Sequence, residues 1–202
     1  ERDECGAPEF YSGGAKLVLV DGAAAKIDKA SLLAALDRRR DVHVSEPRAL
    51  SLSQATEKGA IYAPSEIAEL SAIARERGMR VHVDGARFAN AVAALNCSPA
   101  DVTWRAGVDL LSFGATKNGA LNAEAIVAFD LDLAQEIERR RKRGGHLMCK
   151  GRYAAAQLLA YIERGRWLDW AARANRLAAC LAAAAGDALS ARVELWDGVL
   201  AR

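Results

Sequence analysis

The sequence predicts an α/β fold: a mostly parallel β-sheet flanked by helices in a three-layer arrangement. Short apolar runs, typical of buried strands, alternate with helical patterns of about 10–15 residues. Proline and glycine stand at the two ends of the clearest helical pattern, where these residues commonly begin and end helices. Strands that alternate with helices in this way are typical of a parallel sheet with helices on its faces.

The first half of the chain contains three predicted strands, over residues 15–20, 48–54 and 80–84. Asp28 is the predicted N-cap of the helix "DKASLLAALDRR". The next helix has Pro64 in its first turn and Gly78 just past its end. A further helical pattern over 87–95 follows the third strand.

The second half begins with a short predicted helix over about 99–106, followed by two strands on either side of Lys117. These two strands are the apolar runs 108–113 and 125–129. Helices are predicted from there on, over residues 131–143, 150–163 and 167–185.

The composition excludes several classes of protein. A formal net charge of +2 over 202 residues is too small to indicate binding to nucleic acid or to an anionic membrane. The four cysteines lie far apart without a CxxC pair, which favours reduced thiols in a cytoplasmic protein over disulfides or a zinc site. No apolar run approaches the roughly 18–20 residues that span a bilayer. We therefore expect no metal site and no membrane segment.

Two strand ends carry opposite charges. Asp84 ends the strand over 80–84, Arg87 follows three residues later, and Lys117 comes just past the strand over 108–113. Ligands of open α/β sheets bind outside the carboxyl ends of the strands, so these groups are expected on one rim. Three other interpretations stay open: Asp84 as a helix N-cap, Arg87 as its structural ion-pair partner, and Lys117 as a solvated loop residue.

The neighbours of Lys117 favour a chemical role. Gly114 and Gly119 allow close approach of the backbone to a bound group or a positive φ. A desolvated lysine has a lowered pKa and can form a Schiff base with a carbonyl. Pyridoxal 5'-phosphate (PLP) requires such a lysine together with an acidic partner for its ring nitrogen, here Asp84. Arg87 would bind the carboxylate of an amino acid through a bidentate contact.

The blocks "VHVDGARFANAVAAL" and "VDLLSFGATKNGALNAEAIVAFD" resemble the low-specificity L-threonine aldolases. These enzymes belong to the aromatic amino-acid β-eliminating lyase/threonine aldolase group of fold type I PLP enzymes. The specific parts are "DGARFANA" and "SFGATKNGA", and Lys117 lies 33 positions after Asp84. The resemblance implies the PLP-dependent aminotransferase-like fold and cleavage of a β-hydroxy-α-amino acid, such as threonine, to glycine and an aldehyde. A PLP-dependent β-eliminating lyase and a non-catalytic domain of the same fold are the alternatives.

The resemblance also implies roles for individual residues. Lys117 resembles the Schiff-base lysine, Asp84 the partner of the pyridine nitrogen, and Arg87 the arginine that contacts the substrate carboxylate or the ring hydroxyl. Thr116 falls near the expected cofactor phosphate. Gln54 and Thr56 lie in a block whose relatives reach the cofactor or the substrate hydroxyl, and loop hydrogen bonding is the alternative for both. Some relatives have a histidine in that block; this chain has none, so the retro-aldol base is open.

The other candidates are weaker. His82 is expected to be packed or hydrogen-bonded, since it lies on the opposite sheet face from Val81 and Val83. His43 is expected at the surface. Lys150 and Arg152 follow His146 in a stretch that the resemblance places near a neighbouring subunit's site, with ordinary helix-surface roles as the alternative.

The resemblance implies that residues 1–185 form the large PLP-binding domain without its N-terminal part and that 186–202 begin a truncated smaller domain. The sequence begins at Glu1 without a methionine and stops inside an apolar stretch, so we expect it to be part of a longer chain. The family's ring-stacking, phosphate-binding and second carboxylate-binding residues would lie outside it. We therefore expect the isolated segment to be inactive and the complete protein to be a homo-oligomer, a dimer or a tetramer.

Overall fold

The computed structural model describes residues 4–37, 41–189, 195–196 and 199–200. Its α-helices are α1 (Ala7–Ser12), α2 (Lys29–Leu36), α3 (Pro64–Glu76), α4 (Phe88–Leu95), α5 (Leu131–Arg143), α6 (Arg152–Ile162) and α7 (Arg166–Leu189). Its strands are β1 (Ala49–Ser53), β2 (Arg80–Gly85), β3 (Leu110–Gly114), β4 (Glu124–Ala128), β5 (Leu195–Trp196) and β6 (Val199–Leu200). Short 3-10 helices cover Ala23–Ala25, Pro99–Val102, Trp104–Ala106, Thr116–Asn118 and Glu163–Gly165.

The main sheet has the order β1-β2-β3-β4, and the first three strands are parallel. Helix α3 connects β1 to β2, and α4 with two 3-10 helices connects β2 to β3. The connection from β3 to β4 holds only residues 115–123, which is too short for a parallel crossover, and β4 accordingly runs antiparallel to β3. The expected α/β fold with a mostly parallel sheet flanked by helices is confirmed.

The strand predicted over 15–20 is wrong. This segment forms no strand, and Leu17, Val18 and Leu19 are exposed. An apolar run only becomes a strand where a neighbouring strand offers hydrogen bonds, and the described part of the chain offers none there.

Most helix boundaries follow the sequence signals. Asp28 Oδ1 accepts a hydrogen bond from Ser31 N at 2.8 Å, as the N-cap prediction requires. Pro64 is the first residue of α3, and Gly78 follows its end with φ +68°. The last two residues of the predicted helix "DKASLLAALDRR", 38 and 39, lie outside the described residues. So does most of 190–202, and α7 itself passes residue 185, so the predicted domain boundary stays a prediction.

The core lies on one face of the sheet. Val81 and Val83 of β2 are fully buried, whereas the alternate residues His82 and Asp84 are only half-buried. Helices α3 and α4 pack against the buried face with residues such as Ile67. Burial of each such aliphatic side chain stabilises the fold by roughly 1.5–3 kcal/mol.

An aromatic cluster joins the later helices to the sheet. Phe113 of β3 lies with its ring centroid 5.8 Å from Tyr161 of α6 and 5.5 Å from Trp167 of α7. Phe88 of α4 stacks on Trp167 at 6.3 Å. The cluster lies beside the turn that follows β3 and thereby fixes the helices next to Lys117.

Candidate active site

The carboxyl ends of β2 and β3 are in close contact. In the parallel register Asp84 pairs with Ser112 and Gly85 with Phe113. A Cβ added at Gly114 would lie 2.8 Å from the Cα of Ala86, closer than such atoms approach one another. The absence of a side chain at Gly114 therefore allows the two strand ends to touch, and the segments that carry Asp84 and Lys117 share one rim.

Asp84 faces the half-buried side of the sheet, the same side as His82 and Ser112. Its Oδ1 accepts a hydrogen bond from Ala86 N at 3.0 Å. Helix α4 begins at Phe88 with Arg87 as its N-cap residue and without a side-chain cap, so the interpretation of Asp84 as an N-cap is wrong. Its Oδ2 has no hydrogen-bond partner among the described residues and is available to a ligand.

His82 links three strands directly below Asp84. Its Nδ1 lies 2.9 Å from Ser51 Oγ of β1, and its Nε2 lies 2.9 Å from Ser112 Oγ of β3. A neutral imidazole donates from one ring nitrogen and accepts at the other, and serine hydroxyls serve either role. The prediction of a hydrogen-bonded histidine is confirmed. Sequence reasoning missed both serine partners, although both fall on the same sheet face as His82 once the strands are aligned.

Arg87 is half-buried at the start of α4. In the part of the chain that the structure describes, its guanidinium forms no ion pair with Asp84 or with any other carboxylate. The structural ion pair between these two residues is therefore absent. The guanidinium is left with donors that can bind an external carboxylate.

Lys117 lies in the 3-10 turn Thr116–Asn118, immediately after β3. The expectation that the chain desolvates it is wrong, since the side chain is exposed. The physical reason is that the turn extends past the sheet and packs against α6 and α7 through Asn118 instead. Within the described ranges Lys117 Nζ has neither a hydrogen bond nor an ion pair, so the amine is accessible and uncommitted.

The side chain of Asn118 anchors this turn. Its Nδ2 donates to the Tyr161 hydroxyl at 2.7 Å and to the Trp167 carbonyl at 2.8 Å. Burial raises the pKa of Tyr161, which keeps the hydroxyl protonated as a neutral acceptor. Gly119 follows with φ +114°, and a Cβ there would lie 3.1 Å from the Trp170 ring. Sequence reasoning missed this anchoring role of Asn118.

Thr116 contacts the start of β4. Its amide N donates to Glu124 Oε1 at 3.3 Å, and its hydroxyl accepts a bond from Ala123 N at 3.3 Å. The residue is exposed on the same turn as Lys117. The structure thus brings Thr116 to the rim, and it adds a carboxylate, Glu124, that the sequence did not indicate.

Gln54 and Thr56 are fully buried and bonded to backbone groups. Gln54 Nε2 donates to Tyr62 O at 2.9 Å, and its Oε1 accepts from Tyr62 N at 2.9 Å. Thr56 Oγ1 donates to Ala24 O at 3.0 Å and accepts from Ala60 N at 3.1 Å. These contacts correspond to the alternative of loop hydrogen bonding, and a role at the cofactor or substrate stays a prediction.

The weaker candidates lie at the surface. His43, His146, Lys150 and Arg152 are exposed, and the Arg152 guanidinium lies 5.4 Å from the Tyr153 ring centroid. No group of three potential metal ligands is present among the described residues. None of the described helices is long and apolar enough to cross a membrane.

A family model described as "Beta-eliminating lyase" matches residues 1–195. The chain belongs to the beta-eliminating lyase family. Its curated relatives include two low specificity L-threonine aldolases, one from Pseudomonas aeruginosa (46% identity) and one from a Pseudomonas species (44% identity). Each match covers 93% of this chain and 54% of the relative. The chain thus spans about half the length of the curated relatives it matches.

A threonine aldolase from Leishmania major has a similar structure, with a TM-score of 0.85 at 27% identity, over 93% of this chain and 55% of that one. A putative L-allo-threonine aldolase from Listeria monocytogenes matches with a TM-score of 0.71 at 21% identity, over 92% of this chain and 48% of that one, and it supports the fold alone. The arrangement of strands and helices is therefore that of known members of this fold.

Proposed function

We propose that the complete protein is a PLP-dependent lyase that cleaves threonine, allo-threonine and related β-hydroxy-α-amino acids to glycine and an aldehyde. One observation carries the proposal: a carboxylate, a guanidinium and an amine lie at two touching strand ends without ion pairs to one another. Opposite charges on one rim normally pair, so side chains left uncommitted there are available to a charged ligand. The curated relatives named as threonine aldolases support the choice of reaction.

The residues present fit PLP. Lys117 supplies an exposed amine, Asp84 supplies a carboxylate oxygen without a partner in the described part of the chain, and Gly114 lets the two strand ends meet without intervening side chains. When bound, PLP supplies an electron sink for the carbon–carbon bond cleavage. Lys117 Nζ would hold the cofactor covalently, and Thr116 would contribute to binding its phosphate.

The remaining roles belong to the chain's own charges. Asp84 Oδ2 holds the proton on the ring nitrogen, because a carboxylate favours the protonated form of a nearby base. The Arg87 guanidinium orients the substrate through its carboxylate. Lys117 Nζ would also be the group that returns a proton to the substrate Cα, which yields glycine. Contacts of Gln54 and Thr56 with cofactor or substrate would require these side chains to exchange their loop hydrogen bonds.

The proposal extends to the state of the complete protein. Residues 1–185 would form the cofactor-binding domain, and the protein would assemble as a dimer or tetramer in the cytoplasm. Large apolar side chains exposed on α6, such as Leu159 and Ile162, support an association surface. The four free cysteines support a reducing compartment.

Replacing Lys117 by alanine in the complete open reading frame tests the proposal. The wild type is expected to gain a visible absorbance band with PLP, and Lys117→Ala is expected to lack it because the covalent bond cannot form. Lys142→Ala, which removes an exposed lysine on α5, is the matched control and should keep the band. An unchanged spectrum in Lys117→Ala would refute the assignment.

A β-eliminating reaction is the second candidate, and the description of the matching family favours it. The same charges would serve both reactions, but β-elimination expels a leaving group from Cβ and yields ammonia and a 2-oxo acid, which is pyruvate from serine and 2-oxobutyrate from threonine. Incubation with threonine and with serine, followed by product analysis, separates the two. Glycine with an aldehyde supports the aldolase; a 2-oxo acid with ammonia supports β-elimination.

A further inference from the structure

The turn that carries Lys117 is fixed by its neighbour and not by Lys117 itself. Asn118 donates two hydrogen bonds from one amide nitrogen, to the Tyr161 hydroxyl and to the Trp167 carbonyl. A primary amide has two N–H donors, so these contacts use its full donor capacity. The distances, 2.7 and 2.8 Å, are those of well-formed hydrogen bonds.

Both acceptors belong to a rigid part of the molecule. Tyr161 is 2% exposed and Trp167 8% exposed, and their rings pack together at 6.3 Å between centroids. Each also packs against Phe113, four residues before Lys117 in the same segment. The strand before the turn and the side chain after Lys117 therefore contact the same aromatic cluster, which restrains the turn on both sides.

The chain beyond the turn is held by the same helices. Gln157 Oε1 of α6 accepts hydrogen bonds from Leu121 N at 2.9 Å and Asn122 N at 3.2 Å. Gly119 passes so close to Trp170 of α7 that a Cβ would lie 3.1 Å from the ring. Docking on α6 and α7 thus extends from Asn118 to Asn122, while Lys117 Nζ stays without a partner among the described residues.

We propose that Asn118 is a positioning residue, which holds the backbone of Lys117 so that the free amine points to the ligand. The role rests on the proposed function, because positioning has a chemical purpose only if Lys117 bonds to the cofactor. Misplacement of a reacting group by about 1 Å can cost about 100-fold in rate. A lysine on a loosened turn should therefore bond less readily to PLP. Noncovalent contacts should change little, because Thr116 is held separately by Glu124 and Ala123, and Asp84 lies on another strand.

Two ligands separate positioning from general structural support. PLP carries the aldehyde that bonds to Lys117, whereas pyridoxamine 5'-phosphate carries an amine and cannot form this bond. Equilibrium dialysis of both ligands against the complete protein and Asn118→Ala measures each affinity. We expect Asn118→Ala to weaken PLP binding by about tenfold and to leave pyridoxamine 5'-phosphate binding within about twofold.

Matched variants complete the design. Tyr161→Phe removes one acceptor of Asn118 but keeps the ring. It should also weaken PLP binding selectively, to a smaller degree, and it tests the role even if Asn118→Ala does not fold. Asn90→Ala removes a comparable amide bridge, in which Asn90 Nδ2 donates to Asn175 Oδ1 at 2.9 Å between α4 and α7. It should lower the melting temperature without a preference between the two ligands.

The outcomes are distinct. Equal weakening of both ligands in Asn118→Ala and Tyr161→Phe, or an unchanged affinity for PLP, would overturn the positioning role. A wild type that binds PLP no more tightly than Lys117→Ala does would overturn the proposed function instead. The Asn118 and Tyr161 variants therefore test the positioning role, and the comparison of wild type with Lys117→Ala tests the proposed function.

Discussion

Two regions use polar side chains in opposite ways: the strand-end rim, which carries Asp84, Arg87 and Lys117, and the Gln54 loop, which carries Gln54 and Thr56. Within the described residues, Arg87 and Lys117 at the rim have no ion pair, and one carboxylate oxygen of Asp84 has no hydrogen bond. In the loop, Gln54 and Thr56 are buried and every polar side-chain atom is bonded to backbone. Buried polar groups must be satisfied internally, whereas groups that serve a ligand stay uncommitted. The comparison teaches that hydrogen-bond commitment, more than residue type, separates supporting residues from ligand-binding ones.

The largest effect on stability is expected from Gln54→Ala. The substitution removes the acceptor of the Tyr62 backbone N–H and the donor to the Tyr62 carbonyl. Each buried polar group left unsatisfied costs about 1–3 kcal/mol. We expect the free energy of unfolding to fall by about 2–5 kcal/mol, measured by urea denaturation. A loss below about 0.5 kcal/mol would show that the loop does not depend on these bonds.

The next largest effect is expected from Gly114→Ala, which tests the contact between the strand ends. Its Cβ would lie 2.8 Å from Ala86 Cα, which is backbone and cannot rotate away. Overpacking of this kind costs about 1–3 kcal/mol. We expect a lower melting temperature in thermal unfolding and weaker PLP binding, because the strand ends that carry Asp84 and Lys117 would move apart. Gly151→Ala is the matched control and should cost less, because Gly151 has an ordinary φ of −55° and the nearest atom to its added Cβ, Met148 O, would lie 3.3 Å away.

Alkaline pH should lower the free energy of unfolding through ionisation of Tyr62, whose backbone bonds to Gln54. Burial raises the pKa of Tyr62 to about 12 from its ordinary value of 10, while its hydroxyl accepts a hydrogen bond from Ile27 N. Between these values the folded phenol keeps its proton and the unfolded one loses it, so stability present below pH 10 declines as pH rises toward 12. Tyr62→Phe should flatten this decline in urea titrations at several pH values. An equally steep decline in the variant would assign it elsewhere, for example to Tyr161, whose pKa burial also raises.

The smallest effect on stability is expected from Arg87→Ala. Because the guanidinium has no ion pair among the described residues, its removal should change the free energy of unfolding by less than about 0.5 kcal/mol. The same substitution should raise the KM for the amino-acid substrate by about 10-fold to 100-fold, as expected for loss of a charge-assisted contact. A large loss of stability with an unchanged KM would show that Arg87 supports the fold and does not bind the substrate.

Local signals in the sequence predicted much of the fold. The N-cap at Asp28 and the ends of α3 at Pro64 and Gly78 depend on short-range chemistry and were correct. The strand over 15–20 was wrong because hydrophobicity alone does not provide a pairing partner. The run reads as a strand in isolation, but pairing depends on residues distant in the sequence.

The site was predicted only in part for the same reason. The rim followed from the alternation of strands and helices, which local patterns reveal. The exposure of Lys117 and its support by Tyr161 and Trp167 depend on contacts 43 and 49 residues away from Asn118, which no local pattern encodes. Whether Gln54 is committed to the loop was likewise decided by its contact with Tyr62.

Mapping of the lysine that bonds to PLP tests the central claim most directly. The complete protein is mixed with PLP, reduced with borohydride, digested and analysed by peptide mass spectrometry. The account predicts one stoichiometric pyridoxyl modification, on Lys117. A modification spread over surface lysines, or placed on another single lysine with Lys117 unmodified, would contradict it.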